Sequence, residues 1–220
     1  MLNFRPLIKI CGITKVEQAI QIANLGVDAI GIISVKESPR FISYEEKNYI
    51  FKTIEELYPK VKRVSVYKDH PLEIFNSYPN YELNENVIQL HGNESPDYCK
   101  ELKHLIPEME IWKAFRLKAE NQLEQIKAFE NSVDSILLDS WNHEAYGGTG
   151  KRIEGIDLRK IKINTPWWLA GGVSIEWIDY IIKYIKPYGV DISSSIEIAP
   201  GDKDLKKTEL LIEKIKSLRI

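Results

Sequence analysis

Short apolar runs and longer amphipathic stretches take turns along this chain from end to end. The apolar runs fall at 7–11, 28–33, 61–67, 87–90, 110–115, 133–138, 166–170 and 188–192, and they read as strands. The amphipathic stretches lie near 15–25, 44–57, 71–78, 96–106, 119–130, 155–162, 175–185 and 203–218, and they read as helices. Eight strand–helix pairs in strict alternation imply a parallel sheet with helices on its faces. Packed into 220 residues, they predict an α/β fold, a single (β/α)8 TIM barrel spanning 1–220, with an open doubly wound sheet as the alternative.

Local signals support the helices. Thr14-Lys15-Val16-Glu17 and Ser43-Tyr44-Glu45-Glu46 have the spacing of capping boxes. Pro71 and Pro96 stand at expected first helical positions, and Gly26 follows the first helix as a cap. Leu205, Leu211, Ile212, Ile215 and Leu218 share one face of the last helix. The fifth and sixth helices carry the weakest patterns. Gly26-Val27-Asp28, Ser132-Val133-Asp134 and Gly189-Val190-Asp191 are each expected to precede an apolar strand. The preference of short turns for Gly and Asp accounts for them more simply than half-barrel duplication does.

Composition narrows the class. The chain is 44% hydrophobic and 28% charged, with a net charge of −2, so nucleic acid is not expected as the main partner. No apolar run approaches the roughly 18 residues of a membrane helix, and the start lacks an apolar signal core, so the expected compartment is cytoplasmic. Cys11 and Cys99 are too few for a disulfide framework and are expected to be reduced.

A barrel gathers function at the carboxyl ends of its strands. There stand Cys11, Arg40, Gln89, His91, Asp139, Gly171-Gly172 and Ser193-Ser194-Ser195. Gly171 and Gly172 let an anion approach the backbone, and Ser194 and Ser195 offer N–H and hydroxyl donors. Together these predict a phosphate site after the last two strands. Cys11 reads equally as buried packing and as a base, which would require an electropositive setting. Lys9 lies on the face opposite Ile8 and Ile10 and settles little. Asp139 serves as a general acid only if burial or a nearby anion raises its pKa well above the reference of about 3.9. Arg40 suits a carboxylate. Tyr146 to Lys151 reads as a lid and lacks the P-loop spacing, which argues against nucleotide binding. His70, His91, His104 and His143 show no metal-ligand spacing, so no metal is expected. Trp167-Trp168 reads as barrel wall.

Taken in order, these segments resemble the phosphoribosylanthranilate isomerase family. They are Lys9 to Thr14, Gly26 to Gly31, Ser38 to Ser43, Gln89 to Gly92, Leu137 to Asp139, Tyr146 to Lys151, Leu169 to Gly172, and Gly189 to Glu197 with Pro200-Gly201. The resemblance implies an Amadori rearrangement without a cofactor, acting on a small phosphosugar. Asp139 would be the general acid and Cys11 the general base. Arg40 would hold the anthranilate carboxylate, and the Gly171-Gly172 and Ser194-Ser195 loops the phosphate. Gln89 and His91 would complete the substrate site, in a monomer or homodimer. Three departures stand out. Gly31-Ile32-Ile33 lacks the family's Phe, Ile153 to Ile156 lacks an aromatic residue, and Ser195 replaces a Gly of the phosphate loop. A Ser is compatible there if its φ is negative. The competing readings are a phosphosugar barrel of other specificity and a silent barrel that binds without turnover.

Overall fold

In the computed structural model, the first and last barrel strands meet. β1 (Leu7–Cys11) pairs in parallel with β2 (Ala29–Ile33) on one side and with β8 (Gly189–Ile192) on the other. Between them run β3 (Lys62–Tyr67), β4 (Val87–Leu90), β5 (Glu110–Arg116), β6 (Ser135–Asp139) and β7 (Trp167–Ala170), each beside its neighbour in sequence. The result is a closed eight-stranded parallel barrel, and the open sheet is excluded. The structure describes residues 5–76, 84–117, 122–139 and 157–218. The expected lid at 146–151, and His143 beside it, lie outside them.

Strand alternation separates two apolar sets. Ile8, Ile10, Ile30, Ile32, Ile88, Leu90, Ile136, Leu138, Val190 and Ile192 face outward and pack under the helices. Ala29, Val64, Val87, Trp112, Ala114, Leu137, Trp168 and Ala170 fill the barrel. Trp112 and Trp168 stack inside it with ring centroids 4.7 Å apart. Of the expected pair of wall residues, Trp168 is buried in the interior, while Trp167 is only partly covered, against the outer layer.

The helices are α1 (Val16–Asn24), α2 (Tyr44–Leu57), α3 (Leu72–Asn76), α4 (Pro96–Leu105), α5 (Gln122–Lys127), α6 (Ile178–Tyr180) and α7 (Leu205–Ser217). Ser43 and Glu46 form the expected capping box of α2. The expected box at Thr14 does not form: its hydroxyl donates to Gly201 O at 2.6 Å, and the N-cap of α1 is Lys15, which makes no side-chain cap. Pro71 precedes α3 rather than opening it, whereas Pro96 opens α4. The sixth expected helix is reduced, among the described residues, to a 3₁₀ turn at Leu158–Lys160. Beyond it, Ile161-Lys162-Ile163-Asn164 alternates apolar and polar residues, a strand-like period that cannot form one helical face. α6 continues as a π-helix over Ile181–Ile185. Among the described residues no helix is long and apolar enough to cross a membrane.

Two of the three Gly/Ser-Val-Asp segments share a role, and a third residue joins them. Asp28 donates its N–H to Ile8 O and accepts the Ile8 N–H on its carboxylate, both at 2.8 Å. Asp134 does the same to Ile111, again at 2.8 Å. Asn86 does it to Arg63, at 3.0 and 2.9 Å. The latch therefore recurs before β2, β4 and β6, every second strand rather than once per half-barrel. Asp191 differs, because it lies within β8 and its carboxylate meets Lys9.

A Cβ on Gly189 would overlap the Trp168 ring. Gly189→Ala is expected to destabilise the protein by about 1–3 kcal/mol, as overpacked cores do. Urea unfolding measures this, and an unchanged midpoint would show that the Trp168 ring has room to shift.

Candidate active site

The carboxyl ends of the strands surround a cavity of about 520 Å³. Cys11, Arg40, Gln89, His91, Asp139, Gly171, Gly172, Ser194 and Ser195 all line it, although 184 positions separate the first of these from the last. Barrel closure brings them together: Cys11 ends β1 and Asp139 ends β6. Arg116 and Asp191 also line the cavity and were not singled out in the sequence. The signal for Arg116 was its period-two relation to Trp112 and Ala114, which face inward.

Cys11 is 7% exposed. Burial pushes its thiol pKa up, against the pull of the Lys9 ammonium. Lys9 does not point away from the chemistry. It shares the inward face with Cys11, is fully buried, and donates to both Asp191 oxygens at 2.9 and 3.0 Å. The Cys11 carbonyl accepts from Lys203 Nζ at 2.6 Å.

Across the cavity, His91 Nε2 lies 3.8 Å from Asp139 Oδ2, beyond hydrogen-bond range. Burial, with the positive charges of Arg116 and Lys113, lowers the His91 pKa to about 4, so its ring is neutral near pH 7. Gln89 is buried, and its Oε1, like His91 Nε2, has no hydrogen-bond partner among the described residues. Two polar side chains thus line the cavity with unused hydrogen-bonding capacity.

At the other rim, Gly171 and Gly172 have φ of 79° and 71°, which side chains resist. Ser194 opens a short 3₁₀ turn that runs to Ile196. Ser195 is not among the residues with positive φ, so the serine stands there without backbone strain. Its hydroxyl, expected as an anion donor, is instead committed to Val173 O at 2.5 Å. Only its N–H remains a candidate donor.

Arg40 reaches the cavity already paired. Its Nε and Nη2 donate to Glu197 at 2.8 and 2.6 Å. Glu197 starts β9 (Glu197–Ala199), which forms a hairpin with β10 (Asp202–Lys203). The same carboxylate accepts from Lys203 Nζ at 2.7 Å and Gly201 N at 3.1 Å. Sequence reasoning missed Glu197 and Lys203 as functional groups, since neither lies at a barrel strand end.

The sequence matches the family model described as N-(5'phosphoribosyl)anthranilate (PRA) isomerase over residues 8–214. An N-(5'-phosphoribosyl)anthranilate isomerase from Microcystis aeruginosa is 39% identical over 212 residues, covering 96% of this chain and 98% of its own. The solved phosphoribosyl anthranilate isomerase from Thermotoga maritima superposes with a TM-score of 0.81 at 30% identity, over 97% of this chain and 100% of that one. Another solved phosphoribosyl anthranilate isomerase, in complex with reduced 1-(o-carboxyphenylamino)-1-deoxyribulose 5-phosphate, gives a TM-score of 0.79 at 28% identity with the same coverage.

Burial alone would raise the Glu197 carboxyl, but Arg40, Lys203 and the Gly201 N–H hold its pKa down at about 2. The folded carboxylate therefore binds its proton later than the unfolded one, whose pKa is about 4.3. Its stabilisation is present above that value and is lost as pH falls toward 2. Unfolding free energy measured against pH should fall across this window by on the order of 3 kcal/mol more in the wild type than in Glu197→Gln. Equal slopes would remove Glu197 as an acid-sensitive brace.

Proposed function

The chain belongs to the N-(5'-phosphoribosyl)anthranilate isomerase family, and on that premise we propose that Asp139 and Cys11 are the acid and base of its isomerisation. The activity is that of an isomerase of tryptophan biosynthesis. One observation carries the residue assignment: a thiol from β1 and a carboxyl from β6 line the same cavity, whose rim also holds the Gly171-Gly172 and Ser194-Ser195 loops.

The substrate, N-(5'-phosphoribosyl)anthranilate, lays its phosphate against the backbone of those two loops. Asp139 gives its proton to the furanose ring oxygen, the C1–O bond breaks, and the anthranilate nitrogen lone pair forms the Schiff base. The Cys11 thiolate takes the C2 proton, leaving an enolamine. That species gains a proton at C1 and loses the one on its C2 hydroxyl, giving the ketone 1-(2-carboxyphenylamino)-1-deoxyribulose 5-phosphate. C1 is reduced as C2 is oxidised within one molecule, so the electrons balance without an external partner.

The neighbours fit these roles. A neutral His91 adds no positive charge of its own beside Asp139. Gln89 and His91 supply unused polar atoms for the sugar hydroxyls. An arginine has five N–H donors. Glu197 occupies the Nε–Nη2 edge of Arg40, so a substrate carboxylate meets the Nη1–Nη2 edge, with Glu197 setting the plane of the guanidinium.

The test is the loss of substrate fluorescence, with substrate generated in situ. Wild type is expected to exceed spontaneous decay clearly. Cys11→Ser and Asp139→Val are each expected to lose about 10²–10⁴-fold in kcat. Wild-type activity that persists in Cys11→Ser would remove the thiol as base, and persistence in Asp139→Val would remove the carboxyl as acid.

A further inference from the structure

The barrel interior is apolar below the cavity, yet it contains a lysine that is 0% exposed. An ammonium withdrawn from water costs several kcal/mol, and its ion pair often does no better than a packed apolar pair would. Lys9 and Asp191 are register partners across the β1–β8 seam, and both Asp191 oxygens accept from the ammonium. Burial favours loss of the Lys9 proton, but Asp191 and the Cys11 thiol together outweigh it, so the Lys9 pKa is raised and the ammonium stays charged.

That charge is spent beside the catalytic sulfur. Cys11 is two residues along β1 from Lys9 and therefore on the same face. Gly31 of β2 is the register partner of Cys11. A Cβ on Gly31 would lie 2.8 Å from Cys11 Sγ and 3.0 Å from Lys9 Nζ. Sulfur and ammonium thus converge in the space that the missing side chain leaves.

Other charges surround Cys11, but they are arranged differently. Lys203, from the hairpin, binds the Cys11 carbonyl and is neutralised by Glu197. Arg40, from the loop after β2, is held by the same Glu197. Asp139 and His91 line the cavity from β6 and the end of β4. Among these charges, Lys9 pulls the Cys11 thiol pKa down most.

We propose that Lys9 is a positioning residue for the reaction: kept charged by Asp191, it orients the Cys11 sulfur and stabilises its thiolate, and Gly31 is the gap that lets the two side chains meet. This rests on the assignment of Cys11 as base. It also gives a physical reason for a lysine inside the barrel, since the thiolate needs a cation that water cannot provide there.

The experiment is the pH dependence of iodoacetamide alkylation at Cys11, followed by peptide mass spectrometry, with the buried Cys99 as internal reference. It is run on wild type, Lys9→Met/Asp191→Asn and Gly31→Ala, alongside kcat and KM. The double variant removes both charges together, so no lone buried ion is left. Gly31→Ala keeps both charges and pushes sulfur and nitrogen apart, and it decides the question if the double variant does not fold. In both variants the Cys11 midpoint is expected to rise by at least about one pH unit, a tenfold slower alkylation below it. kcat is expected to fall at least about tenfold at neutral pH and to recover as pH rises, with KM nearly unchanged. Unmoved alkylation profiles, or a loss confined to KM, would overturn the proposal. Failure of the base assignment would show separately, as activity retained in Cys11→Ser.

Discussion

The β1–β8 seam is the constraint on which everything else in this molecule depends. Parallel strands need a crossover between them, so the chain must travel around the whole barrel before its last strand can pair with its first. Only that closure sets Cys11 at the end of β1 beside the loops after β7 and β8. The Lys9–Asp191 pair bridges the same seam from the inside. Closure also removes the barrel's sheet edges, so every barrel strand has neighbours on both sides and the interior can be packed dry. In a dry interior one ion pair acts strongly on a nearby thiol, because little solvent screens it.

A second organising centre lies outside the barrel wall. Glu197 binds Arg40, Lys203 and the Gly201 N–H at once. Lys203 in turn holds the Cys11 and Ser193 carbonyls. One buried carboxylate therefore ties the loop after β2, the end of β1 and the segment after β8 into a single rim. Removing Glu197 would leave the buried Lys203 ammonium without its carboxylate, which costs far more than an apolar contact of the same size. The rim is held by electrostatics, while the barrel beneath it is held by packing.

Much of this was legible in the linear chain, and the physical reason is local. Short apolar runs and amphipathic stretches follow from what one strand or one helix must bury, so the eight strands emerged from their alternation. Ser43 and Pro96 act through neighbours a few residues away, and both behave as expected. Thr14 does not cap α1: its side chain reaches to Gly201, 187 positions away, and the N-cap is Lys15. Among the described residues of the stretch near 155–162, only the 3₁₀ turn Leu158–Lys160 forms, because the alternation beyond Lys160 has the wrong period for a helix. The cavity residues were found because barrels place function at strand ends, a rule of topology that needs only the strand order.

The sequence by itself determined the strand order and most of the side chains that reach the carboxyl ends of the strands. It did so because burial imposes its period residue by residue. Tertiary structure alone decided which of those side chains meet. Lys9 turned inward to a thiol because in a closed barrel the face opposite Ile8 and Ile10 is not solvent but interior. Arg40 met Glu197, and Ser195 turned its hydroxyl to Val173, through contacts 157 and 22 residues apart. Hydrogen bonds and ion pairs act over a few ångströms and carry no periodic trace along the chain. Their partners are therefore set only once the barrel has closed.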